Sequence, residues 1–317
     1  MRQATTGAFA SRDIPRIYWA LGGLILIGML SAPQFRTLSN LANIVEQSAT
    51  LAVLALGQAF VIAGGMIDLS VGQLVGLITV VACMMFEAYP GMDAAVILGC
   101  LALAALVGLV NGELLNRLKM SPLILTFGML SVLQGVIFML TDRSVGQVAP
   151  SIAFLSNGRL LGVPVSVILV VAVAAAAYYA LQRSIFGWHL LAMGNSAESA
   201  RKAGLNLFSL TRVAFLVSGL CAGIAGLLVA GRLGTGFPNA GNGLELDAIV
   251  AVVLGGAPLK GGRVSVAGII GAVLFLGVLN NLLNLLQVPA FTQIVVKGLI
   301  VIIAILADRP GKAAQAA

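Results

Sequence analysis

The chain has 317 residues, 60% of them hydrophobic and only 9% charged, with a mean hydropathy of +1.06 and a net charge of +7. A soluble domain carries roughly a quarter charged residues, and no aqueous core of this size hides so much apolar surface, so lipid is the solvent for most of these side chains. This excludes an ordinary soluble enzyme, and the positive charge reads as the basic bias of cytoplasmic loops rather than as a nucleic-acid footprint.

A membrane span needs about 20 apolar residues. Ten are predicted, over 16–33, 45–65, 69–88, 94–115, 121–141, 163–182, 211–231, 246–259, 264–284 and 290–307. The expected fold is therefore an all-α polytopic membrane protein. The first apolar run follows a basic tail, as a signal peptide does. The many later spans and the lack of an A-x-A site make it a retained anchor. Ala32-Pro33, Tyr89-Pro90-Gly91, Ser121-Pro122 and Gly162-Val163-Pro164 punctuate the spans, and Pro122 suits a first helical turn. With the N-terminus inside, thirteen Lys and Arg fall in cytoplasmic segments and four outside (Arg36, Arg143, Arg159, Arg232), while Lys297 lies within the last span. This asymmetry predicts an even number of spans with both termini cytoplasmic. Two loops are longer than the rest: 142–162 outside and 183–210 inside, the latter dividing the chain into halves of similar layout. The predicted organisation is a cytoplasmic tail over 1–15, one membrane domain over 16–308 and a second cytoplasmic tail over 309–317.

Three segments carry information beyond hydropathy. In the first, Gly64, Gly65, Asp68 and Ser70 sit at the junction of spans two and three. Two readings fit. Ser70 caps the next helix while Asp68 complements its dipole, or an acid near membrane depth marks a pathway or a moving part. In the second, Glu245-Leu246-Asp247 opens a short eighth span interrupted by Gly255, Gly256 and Pro258. Short, interrupted helices at comparable places in two halves point to a transport pathway. In the third, Gly194-Asn195 leads into Glu198, Ala200, Arg201 and Gly204. Asn195 is the expected N-cap with Glu198 as capping-box partner, and Gly204 suits the C′ position. So short a helix is unstable alone. It docks either on the protein's own membrane face or into a partner. Lys297, about 10 Å into the final span at ~1.5 Å per residue, either snorkels outward or pairs with Asp247.

Catalytic chemistry has little to work with. Cys83, Cys100 and Cys221 lie in apolar runs without metal or redox spacing, and read as small packing residues. His189 is the lone histidine and is expected on a cytoplasmic loop. No phosphate-binding G-x-x-x-x-G-K-[ST] loop occurs, so no ATP site of that kind and no bound cofactor or metal is expected in this chain.

The motifs, taken in order, resemble the permease subunits of ribose/xylose/arabinose/galactoside-type ABC importers. Gly64-Gly65-Met66-Ile67-Asp68-Leu69-Ser70-Val71-Gly72 is similar to the family's G-G-I-D-L-S-V-G with Met66 inserted. Asn111-Gly112 followed by Ser121 to Gly128, Ser199-Ala200-Arg201-Lys202-Ala203-Gly204, Glu245 to Gly256, Asn280-Asn281 and Val296-Lys297-Gly298 also match. The likeness runs from about residue 15 to 308, although Ala257-Pro258-Leu259-Lys260 departs from the small polar residues usual there. It implies a non-catalytic subunit in the bacterial inner membrane that translocates a monosaccharide, an ABC ATPase bound at the inside loop, a periplasmic sugar-binding protein, and a second permease copy, identical or paralogous. Related permeases move autoinducers, polyols, nucleosides or amino acids, so another small polar solute is the alternative. An ion-coupled carrier, which usually needs acids or histidines at the bilayer midplane, and a non-transporting membrane scaffold or intramembrane enzyme are the remaining readings.

Overall fold

The computed structural model describes residues 16–307, and the two expected tails lie outside the described residues. It is a helical bundle in which each of the ten predicted spans overlaps a helix: α1 (Arg16–Ser31), α2 (Leu38–Ala63), α3 (Val71–Ala88), α4 (Asp93–Leu118), α5 (Pro122–Leu140), α7 (Val165–Tyr178), α10 (Leu207–Leu233), α11 (Leu244–Leu254), α12 (Val266–Leu285) and α13 (Ala290–Ala307). Among the described residues, seven helices are long and apolar enough to cross a membrane: α2, α3, α4, α5, α7 with its π-turn Tyr179–Arg183, α10 and α12.

The two long loops are themselves folded. The first holds α6 (Pro150–Asn157) and a hairpin of β1 (Arg159–Leu160) and β2 (Val163–Pro164), paired antiparallel through Leu160 and Val163. Leu161 and Gly162 both have positive φ (51° and 83°), as a two-residue hairpin turn with this twist requires. The second holds α8 (Ile185–Asn195) and α9 (Ala197–Lys202). His189 is thus on a helix and half-buried, not on a loop surface.

Burial sorts the helices into layers. The most apolar window of α2 is 83% buried and those of α3 and α10 are 72%, against 17–22% for α4, α5 and α7. α2 is therefore a core helix, with α7, α10, α11 and α12 against it, while α3 packs on α10, α5 and α4. The outer helices present Leu106, Phe127, Val132 and Met139 outward, as lipid contact demands. α4 and α10 cross closely through small residues: Gly108 abuts the Phe215 carbonyl, and Gly219 meets Ala104 and Gly108. Such spacing lets membrane helices approach. An ion cluster closes this crossing at the Leu118 end. Glu113 Oε1 meets Arg117 Nε at 2.5 Å, and Glu113 Oε2 meets Arg212 of α10 at 2.5 Å. At the other end of the bundle, Asn40 of α2 and Asn281 of α12 exchange amide hydrogen bonds at 2.9 and 2.8 Å.

Candidate functional site

Two of the core elements are broken partway through the bundle, from opposite ends. After α2, the Gly64–Gly65 turn leads into an irregular segment, 66–70, that climbs back inside before α3 begins at Val71. Its contacts give the depth. Ser70 lies beside Asn111, about 10 Å from the Leu118 end of α4, and Asp68 lies beside Ser218, about 16 Å from the Leu207 end of α10. Asp68 therefore sits well inside the bundle, not at a span end as its place in the sequence suggests. From the other end, residues 234–243 descend along α3. Thr235 bonds the carbonyls of Val145 and Gly146, Thr79 Oγ1 donates to the Phe237 carbonyl at 3.3 Å, and Gly241 lies against the Gly72 carbonyl. From Val80 to Gly72 this is a descent of about 12 Å. α11 then runs only from Leu244 to Leu254. The starts of α3 and α11 thus meet near half depth, where Glu245 packs on Gly72.

The segment 66–70 is held by a buried polar network. Asp68 Oδ1 accepts from the Ser70 N–H at 3.0 Å and from Ser70 Oγ at 2.6 Å, and its Oδ2 accepts from Ser218 Oγ at 3.2 Å. Asn111 Nδ2 donates to Ser70 Oγ at 2.9 Å, and Thr126 Oγ1 donates to the Ile67 carbonyl at 3.2 Å. Gln58 of α2 faces the Asp68 backbone; with its amide oxygen turned to the Asp68 N–H it accepts there at 3.1 Å and donates to the Asp68 carbonyl at 3.3 Å. All these side chains are fully buried. The network corrects the capping expectation. Ser70 occupies the N-cap position of α3 but forms no side-chain cap, because its hydroxyl is spent on Asp68. Gln58 and Ser218 lie outside the motifs read from the sequence, and Thr126 lies within the Ser121 to Gly128 stretch without being read as a site residue; each is a lone polar residue in an apolar run.

At the α8–α9 end, three turns converge. The Gly262 N–H donates to the Ala63 carbonyl at 3.0 Å, Asn195 Nδ2 donates to the Gly262 carbonyl at 3.4 Å, and Lys260 packs on Gly65. Gly194 sits between Ala63 and Gly262 so closely that a Cβ would collide with both backbones. α8 is anchored beneath this point by buried Leu190 and Met193 and by Phe186, whose ring stacks on Phe60 of α2 with centroids 6.4 Å apart. α9, by contrast, projects. Only Ala200 is buried, while Glu198, Arg201, Lys202 and Gly204 are exposed. Its N-cap is Ser196, which accepts from the Ser199 N–H at 3.1 Å; Asn195 ends α8 instead. Glu198 reaches not back to the cap but forward to Lys202, at 2.6 Å. Gly204 has φ +81° and stands at C′ as expected: the Leu205 N–H bonds the Ala200 carbonyl and the Gly204 N–H bonds the Arg201 carbonyl, the Schellman pattern.

Of the remaining sequence-predicted residues, Asn111 joins the Asp68 network, although its Oδ1 has no partner. Asp247 is half-buried in the first turn of α11. Gly255 ends α11 pressed against Gly268 and Ile269 of α12, and Gly256 has φ +92°. Asn281 pairs with Asn40, whereas Asn280 Oδ1 is buried without a partner. α11 packs against α13, but the Lys297 side chain lies outside the described residues, and with it the expected contact to Asp247.

Residues 40–305 match the family model described as branched-chain amino acid transport system / permease component. The chain is 36% identical to the ribose import permease protein RbsC of Escherichia coli (strain K12), over 90% of this chain and 91% of that protein. It is 33% identical to the L-arabinose ABC transporter permease protein AraH of Azospirillum brasilense (90% and 85%) and 32% identical to the D-allose transport system permease protein AlsC of Escherichia coli (strain K12) (90% and 87%). No solved structure matches. A family match over most of the chain, with relatives of this identity along nearly their whole length, leaves one assignment: the chain belongs to the ABC transporter permease family of branched-chain amino acid and sugar transport systems, as a multi-pass membrane protein.

Proposed function

We propose that this chain is the solute-translocating subunit of an ATP-driven importer for a monosaccharide of the pentose or hexose type. The observation that carries the reading is the α8–α9 arm, an anchored helix followed by a capped, exposed one, seated where both broken elements turn. A separate ABC ATPase holds α9. Closure of its dimer on ATP moves α8 through the Gly194–Asn195 junction, and so displaces the Gly64–Gly65 and Lys260–Gly262 turns together. Each turn is continuous with one half-helix, α3 or α11, so a single cytoplasmic push acts on both elements that meet near half depth. Solute crosses beside them, between two copies of the permease, after delivery by a periplasmic binding protein. The chain crosses the inner membrane ten times with both termini cytoplasmic. It contributes no catalysis, and ATP is bound by its partner.

The sugar reading is supported by the names of the relatives, which import ribose, arabinose and allose. The interrupted helices support a transport role on physical grounds: irregular backbone at membrane depth is tolerated only where protein buries it or water lines it. Affinity purification of the tagged chain from membranes in mild detergent tests the proposal. A near-stoichiometric ABC ATPase is expected. Its absence from intact, transport-competent membranes rejects the ATP-driven reading in favour of ion coupling through Asp68 and Asp247.

A further inference from the structure

The segment 237–245 is an unusual surface to place at half depth. It is irregular up to Gly243, and Asn239, Asn242 and Gly243 are exposed on the chain. Lipid cannot cover them, because unsatisfied amides in hydrocarbon cost several kcal/mol each on the order-of-magnitude scale of polar burial. The amides are also ordered. Gln73, buried on α3, donates through Nε2 to Asn242 Oδ1 at 2.7 Å, and Asn242 donates through Nδ2 to Asn239 Oδ1 at 3.1 Å. This relay runs from the protein interior to the open face. Glu245 stabilises the turn beneath it: Oε1 accepts from the Gly243 N–H at 3.3 Å, while Oε2 is buried without a partner. No Lys or Arg occurs in 237–245.

We infer that Asn239 and Asn242, held by Gln73, form a solute-contacting station of the translocation pathway for neutral polyhydroxylated solutes. The inference rests on the transport reading above and narrows it. A primary amide offers both donors and an acceptor, matching a hydroxyl that does both. The two amides leave each other free valences on the open side. A solute carboxylate finds no cation within this segment and meets Glu245 nearby, so amino acids and sugar acids are disfavoured. Gln73 is a positioning residue, since it reaches the solute only through Asn242.

Thiol labelling tests this in the intact complex. Asn239→Cys, Asn242→Cys and, as a lipid-facing control at similar depth on α4, Leu106→Cys are each expressed with the partner ATPase and labelled in membrane vesicles with a charged, water-soluble methanethiosulfonate. The first two are expected to react at least about tenfold faster than the control, as water-lined positions do. An aldopentose, an aldohexose or an acyclic polyol should slow their labelling several-fold, with L-leucine and a uronic acid having no effect. In the Asn239→Cys background, where Asn242 is intact, Gln73→Leu should abolish that protection without slowing labelling itself, which a purely structural role would not do. Unreactive cysteines in a complex that retains its ATPase overturn the station and leave the importer reading standing. Protection by L-leucine or a uronic acid, or by none of the probes, overturns the neutral-solute assignment. Loss of the ATPase from the unsubstituted complex instead sinks the transport reading itself.

Discussion

Asp68 is a buried acid whose hydrogen bonds come from Ser70 and Ser218, so its side chain holds the segment 66–70 to α10. Deleting the acceptor strands buried donors, at a cost of about 1–3 kcal/mol for each group left unmade. Asp68→Leu is therefore expected to destabilise the detergent-solubilised protein by several kcal/mol. Asp68→Asn keeps one acceptor oxygen for Ser70 and should be much milder. Thermal unfolding of the two variants side by side checks this, and equal losses would mean the network does not hold the segment. A second residue-scale expectation concerns Gly204. Its φ of +81° is strained for any side chain, so Gly204→Ala should cost about 1 kcal/mol and fray α9. Faster hydrogen exchange over 197–205 with an unchanged core would show it.

At the scale of elements, the α8–α9 arm and the two half-helices act as one mechanical chain in the proposed mechanism. Gly194 is the joint, and a Cβ there collides with the Ala63 carbonyl and the Gly262 N–H. Gly194→Val should leave ATP hydrolysis near normal in proteoliposomes while reducing solute uptake several-fold. A parallel fall in both would indicate misfolding, not a lost joint. The helices themselves were readable in the sequence because apolar runs and their Pro and Gly punctuation act locally. Pro122 opens α5 and Gly204 closes α9 by local rules alone. What was not readable depended on the third dimension. Asn195 looked like a cap, yet tertiary contact with Gly262 draws it into the end of α8 and leaves the cap to Ser196. Asp68 looked terminal because a re-entrant segment has no signature in hydropathy. Gln58, Thr126 and Ser218 were silent for the same reason, since a lone polar residue in an apolar run shows neither its partner nor its depth.

For the whole molecule, the basic asymmetry of the loops supports the proposed topology. Under the proposed topology Leu161, fully exposed at the hairpin tip, lies outside and Lys202, exposed on α9, lies in the cytoplasm. An impermeant maleimide added to cells with a permeabilised outer membrane should label Leu161→Cys and reach Lys202→Cys only after the inner membrane is opened. The reverse pattern would invert the topology and remove α9 from any cytoplasmic partner. The proposed import mechanism depends on that partner. Glu198→Cys, carrying a thiol-linked photo-crosslinker on the exposed face of α9, should yield on illumination a single dominant adduct whose mass and peptides are those of an ABC ATPase, and added nucleotide should change its yield. An adduct formed only with the chain's own residues, in membranes that retain solute uptake, would contradict the assignment of α9 as the ATPase contact.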